Sequence, residues 1–512
     1  MTFKGDDYYN EAAVDGKGKT ITVAGNNNVG VSISKGMSAT GSSINNHGNN
    51  ANKNGSTSAV VANGSSQKYG TTNPIANVKN LNILVTGSEN VGFLRNENSS
   101  SNNINDIELN DNTVQSLTFG DNTANGGSKA MKSTLVRSDK YGISINRDLS
   151  VTSGGVKNSF AQASKGGYVK LNSGKTLTSK LKTTISGLNG ATVTNEGTLA
   201  LTGKDGAVGI YSNASTVKNK KIITTANADS VAIYGKEGST LTNESTGEIT
   251  TSGNSSVGML ADNSTVTNEA GGKITTSGTG SAGIYGTNNS TIKNAGAITT
   301  EETGSAGIYA NESNATNEST GTITSKKGSS AGIYAISTSA KNTKNKGTIE
   351  VGLTGSPEIN GVGIYAEGHQ NVENNGNINI RIKNSIGIYG KGTDVEIENK
   401  KNITSDASAS DAIGIMADKV KKVTNSSGAK IELQDKNSVG IYGKESEIEN
   451  SGSILITSTD NDSKSVGILA DKGTATNKGT IKVAGGKSAG MLGLNGATIT
   501  NDVTTGVITI TG

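Results

Sequence analysis

Cysteine and tryptophan are absent from the 512 residues, proline occurs twice and phenylalanine four times. Without cysteine neither a disulfide framework nor a thiolate metal site is available, and a thiol-free chain suits export in the unfolded state. Hydrophobic residues make up 31% and aromatics 3%. That is too little to fill the cores of the roughly three or four compact domains that this length would otherwise suggest. Strong charge of one sign is also missing: 47 basic residues are interspersed with 43 acidic ones, for a net charge of +4. This excludes the basic stripe of a nucleic-acid-binding surface. No apolar run approaches the ~20 residues of a membrane-spanning helix. Met1 is followed by TFKGDDYYN, without the basic start and apolar stretch of a signal peptide.

Glycine (70 residues), asparagine, serine and threonine fill the chain instead. Such polarity alone fits disorder, but charged residues are only 18% and the apolar residues recur in register. The stretch SVGMLADNSTVTNEAGGKITT at 256–276 returns as SAGIYGTNNSTIKNAGAITT at 281–300 and then repeatedly in altered form. Three sub-motifs cycle. A Gly-Ile-Tyr strand has its glycine at 209, 258, 283, 307, 332, 363, 387, 414, 440, 467 and 490, mostly 23 to 27 residues apart, with Ala232 standing in once. A pattern of apolar-x-Asn follows, then a short strand carrying isoleucine at 249, 274, 298, 323 and onward to 508. Three short strands in about 25 residues form one triangular coil of an all-β fold, a right-handed parallel β-helix or single-stranded β-solenoid. One coil has too few inward side chains to fold alone, so stability comes from stacking on neighbours.

The chain divides into three parts. Residues 1–77 carry N-terminal strands and a polar Asn/Ser/Gly-rich loop, placed at 38–67; residues 78–187 form irregular solenoid coils; residues 188–512 are the regular β-helix repeats, continuous with the preceding coils. The run around 130–137 is the one candidate for a helix, short and uncapped and so only a weak signal. The long gap between Gly332 and Gly363 holds Pro357 and predicts a surface excursion over 352–360.

Strand alternation assigns the faces. In Thr-Val-Thr-Asn the Val and Asn share a face, so an inward Val brings the Asn inward at the corner. An unpaired buried amide is costly. At one coil spacing, roughly 4.8 Å, each amide can bond the next, which predicts a structural ladder of Asn195, Asn219, Asn243, Asn268, Asn294, Asn317, Asn345, Asn374, Asn399, Asn425, Asn450, Asn477 and Asn501. These asparagines equally suit a left-handed turn conformation, and the two roles are compatible. Tyrosine occupies the place after the first-strand pair eight times, seven after Gly-Ile and once after Ala232-Ile233, and is replaced by Leu260, Met416, Leu469 and Leu492. Alternation points it outward while the replacements mark a packed site, so a partly exposed aromatic-aliphatic ladder at a strand end is expected, with packing as its role and glycan stacking as the alternative.

No catalytic, cofactor-binding or metal-binding residues emerge. His47 and His369 lie in polar loops, NNHGN and EGHQN. Gly328-Ser329-Ser330-Ala331-Gly332 and Gly486-Lys487-Ser488-Ala489-Gly490 match Gly-x-Ser-x-Gly, but the repeat itself accounts for both and no helix follows. Asp460/Asp462 and Glu396/Glu398 are carboxylate pairs suited to Ca²⁺ in type, yet without a calcium-loop pattern.

From 188 onward, over about two thirds of the chain, the SVGIYA…STVTNEGTIT pattern resembles the passenger repeats of autotransporter (type V secreted) outer-membrane adhesins, especially the large RadD-like proteins of fusobacteria. The copies that carry it include Gly209-Ile210-Tyr211, Gly283-Ile284-Tyr285, Gly307-Ile308-Tyr309, Gly363-Ile364-Tyr365 and Gly440-Ile441-Tyr442. The resemblance implies a passenger fragment whose parent has a signal peptide and an outer-membrane barrel beyond this sequence. It implies a monomeric stalk or adhesin at the cell surface that meets a protein or glycan of host cells or other bacteria, with a role in virulence. It transfers no binding residues, because the matched positions are scaffold. A β-helical polysaccharide lyase or hydrolase is the alternative. A trimeric autotransporter head, suggested by residues 230–235, needs a period near 14 residues, and ice binding through Thr ladders needs a regular lattice that the drifting repeats do not supply.

Overall fold

The computed structural model describes residues 133–511 apart from 153–157 and 459, and ahead of 133 chiefly a set of strands. Every described regular element is a β-strand, and the strands pair in parallel as a right-handed β-helix. The chain forms two units, Met1–Thr240 and Leu241–Gly512.

In the first unit Thr183–Leu188 pairs with Val208–Asn213, Ile185 beside Ile210. Thr192–Asn195 pairs with Thr216–Asn219 and Thr198–Leu201 with Ile222–Thr225, so each of the three strands of a coil meets its equivalent in the next. The irregular part obeys the same rule: Thr134–Asp139 lies between Val91–Arg95 and Ser159–Ser164. The 130–137 run therefore ends in a strand, whose buried Leu135 and Val136 face coil neighbours. One loop expectation is corrected. Ser58–Gly64 is a strand paired with Val29–Lys35, Val60 beside Val31; its short Ala-Val-Val-Ala core is hidden in composition by the polar residues around it. The rest of 38–67, like Pro74, lies outside the described residues.

In the second unit the coil is typified by Val257–Asp262, Thr265–Asn268 and Lys273–Thr276. Each strand pairs residue for residue with the next coil, Ile274 beside Ile298 and Asn268 beside Asn294. Ala331–Asn345 and Val362–Asn374 depart from this by running through the first corner as single strands, with a register shift between Ser337 and Lys341. Residues 352–361 form the excursion between Thr348–Val351 and Val362–Asn374.

The interior explains why glycine and isoleucine recur together. A Cβ built on Gly307 would lie 2.3 Å from Ile323 Cγ2, and one on Gly283 2.5 Å from Ile298 Cγ2. The third-strand isoleucine thus packs onto the bare backbone of the first strand across a very thin core. Ile284, Ile292 and Ile298, one per strand of a coil, are no more than 1% exposed. Burial of each such side chain contributes roughly 1.5–3 kcal/mol.

Candidate functional site

The ladder asparagines are strand residues, and none has a positive φ. Left-handed residues instead mark the other corners: Asn263, Asn288, Glu312, Lys419, Glu445 and Lys472 precede the second strand. In the second unit Asn243 Nδ2 donates to Asn268 Oδ1 at 2.8 Å, and Asn268, Asn294, Asn317, Asn345, Asn374, Asn399, Asn425, Asn450 and Asn477 each donate in turn to the next, at 2.7 to 2.9 Å. In the first unit Asn195 donates to Asn219 at 2.7 Å. The second amide hydrogen goes to turn carbonyls, such as Gly296 O from Asn294. All are buried except Asn501.

Two serine columns, not anticipated from the sequence, bind the remaining corners. Ser281, Ser305 and Ser330 accept from the backbone N–H of Ser256, Ser281 and Ser305. Ser290 and Ser313 accept from Ser264 and Ser290. The available signal was a serine at a fixed offset before Gly-Ile-Tyr. Ser330, the centre of one Gly-x-Ser-x-Gly match, also donates to Glu302 O and Gly328 O, so its hydroxyl is occupied. Ser488, the centre of the other, donates to Ser463 O and Ala484 O.

What remains for recognition lies outside these ladders. Tyr285, Tyr309, Tyr334, Tyr365 and Tyr389 stand on successive coils, outward-facing and half-buried, in the middle of their strands rather than at a strand end. Their rings alternate between parallel stacking and edge-to-face contact: Tyr285–Tyr309 at 4.6 Å and 6°, Tyr309–Tyr334 at 5.2 Å and 83°, Tyr334–Tyr365 at 4.6 Å and 5°, Tyr365–Tyr389 at 5.3 Å and 89°. Ring faces are therefore turned toward neighbouring rings, which favours packing over sugar stacking as their role. Burial raises the Tyr309 phenol pKa. Burial and then the hydrogen bond from Tyr365 Oη to Glu367 Oε2, 2.6 Å, raise that of Tyr365.

Beside the rings a groove of about 580 Å³ runs over the small residues Ala282, Ala306 and Ala331 to Tyr365 and Asn360. The excursion forms this last edge and is fixed on both sides. Ser329 N–H donates to Ile359 O, Asn360 N–H to Lys383 O, and Glu358 holds Lys327 at 3.1 Å. Below it Thr354 donates to Asp406, which is paired with Arg381, itself bonded to Glu350 at 2.9 Å. Leu353 and Ile359 remain exposed. Across the first corner Glu312 accepts from Ser337, the backbone and hydroxyl of Thr338, and Ser339; these bonds hold its carboxyl at about 2.

The carboxylate pairs are neutralised, Glu396 by Lys421, Asp460 by Lys436 and Asp462 by Lys487 one coil away, and Glu398 by Lys400 of its own coil. Lys400, Asn375 and Lys344 lower Glu373 to about 2. Among the described residues no group of three His, Asp or Glu is arranged to hold a metal ion. His369 is exposed and His47 lies outside the described residues.

A search of curated proteins finds no match. The family model described as BigA third pectate lyase-like domain matches residues 149–386 and again 337–512. Together these spans cover all the regular coils just described, and the chain belongs to the family of the BigA third pectate lyase-like domain.

Proposed function

We propose that this chain is a non-catalytic scaffold of a bacterial cell-surface protein. It is the passenger region of an autotransporter adhesin of the large fusobacterial kind, and it acts as a monomer that offers its irregular outer features to a protein or glycan of host or bacterial cells. The observation that carries this reading is how the repeated positions are used. Inward Asn and Ser side chains bond the next coil, and outward carboxylates pair with lysines one coil away, as Glu373 does with both Lys344 and Lys400. The repeated polar positions thus serve to hold one coil to the next. Membership in a BigA family supports placement at the surface.

A second reading, a β-helical enzyme that cleaves polysaccharide, is favoured by the pectate lyase-like description and by Arg381 between Glu350 and Asp406. One parallel experiment separates the two. The purified chain is incubated with whole cells and a glycan array, and separately with acidic and neutral oligosaccharides. Cell or glycan binding without shortened products is expected; accumulation of cleaved products would overturn the scaffold reading.

A further inference from the structure

Cysteine and tryptophan, the side chains that usually intercept one-electron oxidants before tyrosine, are absent from this chain. Tyrosine is therefore its oxidisable aromatic, and five of its tyrosines are in ring-to-ring contact on one half-exposed face. Two of the contacts differ from the others in being parallel, Tyr285 with Tyr309 and Tyr334 with Tyr365, both at a centroid distance of 4.6 Å. Identical residues one coil apart share the same strand position, and in these two pairs the ring rotation also lays one face on the other.

Tyr365 carries a second feature. Its hydroxyl donates to Glu367 Oε2 at 2.6 Å, and Glu367 Oε1 is held by Lys391 at 2.7 Å. Removing an electron from a phenol makes its proton strongly acidic, and a carboxylate already hydrogen-bonded to it takes that proton without diffusion of water or buffer. The lysine keeps that carboxylate ionised and in place.

We propose that the stacked pair Tyr334–Tyr365 is a site of oxidative cross-linking, in which a peroxidase-type one-electron oxidant joins the rings through an ortho carbon–carbon bond and staples two adjacent coils. Each phenol loses one electron and its hydroxyl proton, the proton of Tyr365 passing to Glu367. The two phenoxyl radicals couple at ortho carbons, and the ortho hydrogens shift to the oxygens to restore two phenols. Two hydrogens leave in all, reducing one hydrogen peroxide to two waters. Tyr285–Tyr309 has the same stacking, but among the described residues no carboxylate is hydrogen-bonded to either hydroxyl, and it couples more slowly. Met416, next along the column from Tyr389, is the competing oxidation site.

The test treats the dilute whole chain with a haem peroxidase and hydrogen peroxide, followed by dityrosine fluorescence and by mass spectrometry of proteolytic peptides from the monomer fraction. The expected product is an intramolecular 334–365 link with loss of two hydrogens, formed several-fold faster than any 285–309 link. Tyr365→Phe should abolish the first and leave the second. Glu367→Gln should slow only the first, with 285–309 as an internal control on folding and oxidant. Links found only between molecules, or among tyrosines that are not coil neighbours, would overturn the proposal. A 334–365 rate unchanged in Glu367→Gln would overturn the role of Glu367.

Discussion

Replacing Asn294 by leucine tests the interior most sharply, because the ladder makes the cost of one substitution unlike the cost of three. Asn294 accepts from Asn268 and donates to Asn317, both at 2.8 Å, in a fully buried site. A leucine there leaves the Asn268 amide without its ladder acceptor and the Asn317 carbonyl without its ladder donor. Each orphaned buried group costs about 1–3 kcal/mol, so Asn294→Leu should destabilise by about 2–6 kcal/mol. Replacing Asn268, Asn294 and Asn317 together again orphans only two ladder groups, the Asn243 amide and the Asn345 carbonyl. The triple variant should therefore lose well under three times the single value, since an interaction whose two partners are both removed leaves no penalty behind. Because each coil touches only its neighbours, the loss should be local. Native-state hydrogen exchange of amides in 265–325, compared with those beyond 450, is the appropriate assay. Equal loss at exposed Asn501, or costs that add in the triple variant, would refute the paired ladder.

Other outcomes follow from the same geometry. Gly307→Ala should cost about 1–3 kcal/mol by overpacking against Ile323 and the Gly332 carbonyl, and in an Ile323→Ala background the part due to the side chain should disappear from urea melts while the part due to the carbonyl stays. Glu312 and Glu373 sit at about 2 in the folded chain against an ordinary 4.5. A depressed folded pKa gives stability that is full above the unfolded value and lost as pH falls through the folded one, so acid titration followed by circular dichroism should show stability declining between about 4.5 and 2; Glu373→Gln should flatten that decline. Lys472, left-handed at φ 56, should gain up to about 1 kcal/mol on replacement by glycine.

The repeat was legible because its causes are periodic. Gly307 and Ile323 recur together since each coil presents the same thin cross-section, and Asn268 recurs since each corner buries one amide. What escaped the sequence lacks such a period or belongs to pairs distant along the chain. Ser281 and Ser290 look like ordinary turn serines until stacking aligns them with Ser305 and Ser313. Ser58–Gly64 is a short apolar core inside a polar stretch, identifiable as a strand only beside Val29–Lys35. The alternation of tyrosine contacts depends on ring rotation, which residue identity does not encode. The hold of Arg381 on Asp406, and of Asp406 on Thr354, links residues 25 and 52 positions apart. The excursion around Pro357 was visible as a break in spacing, whereas its anchoring by Glu358 and Ile359 was not.

The central claim is that the repeated residues are scaffold and that recognition resides where the repeat is broken. Its most direct test grafts a short turn in place of 352–361 and measures binding of the native and grafted chains to whole cells, with circular dichroism confirming an intact β-helix. The account predicts lost or strongly weakened binding with an unchanged fold. Full binding by the grafted chain, together with loss of binding when only repeat positions such as Tyr309 are changed to phenylalanine, would contradict it.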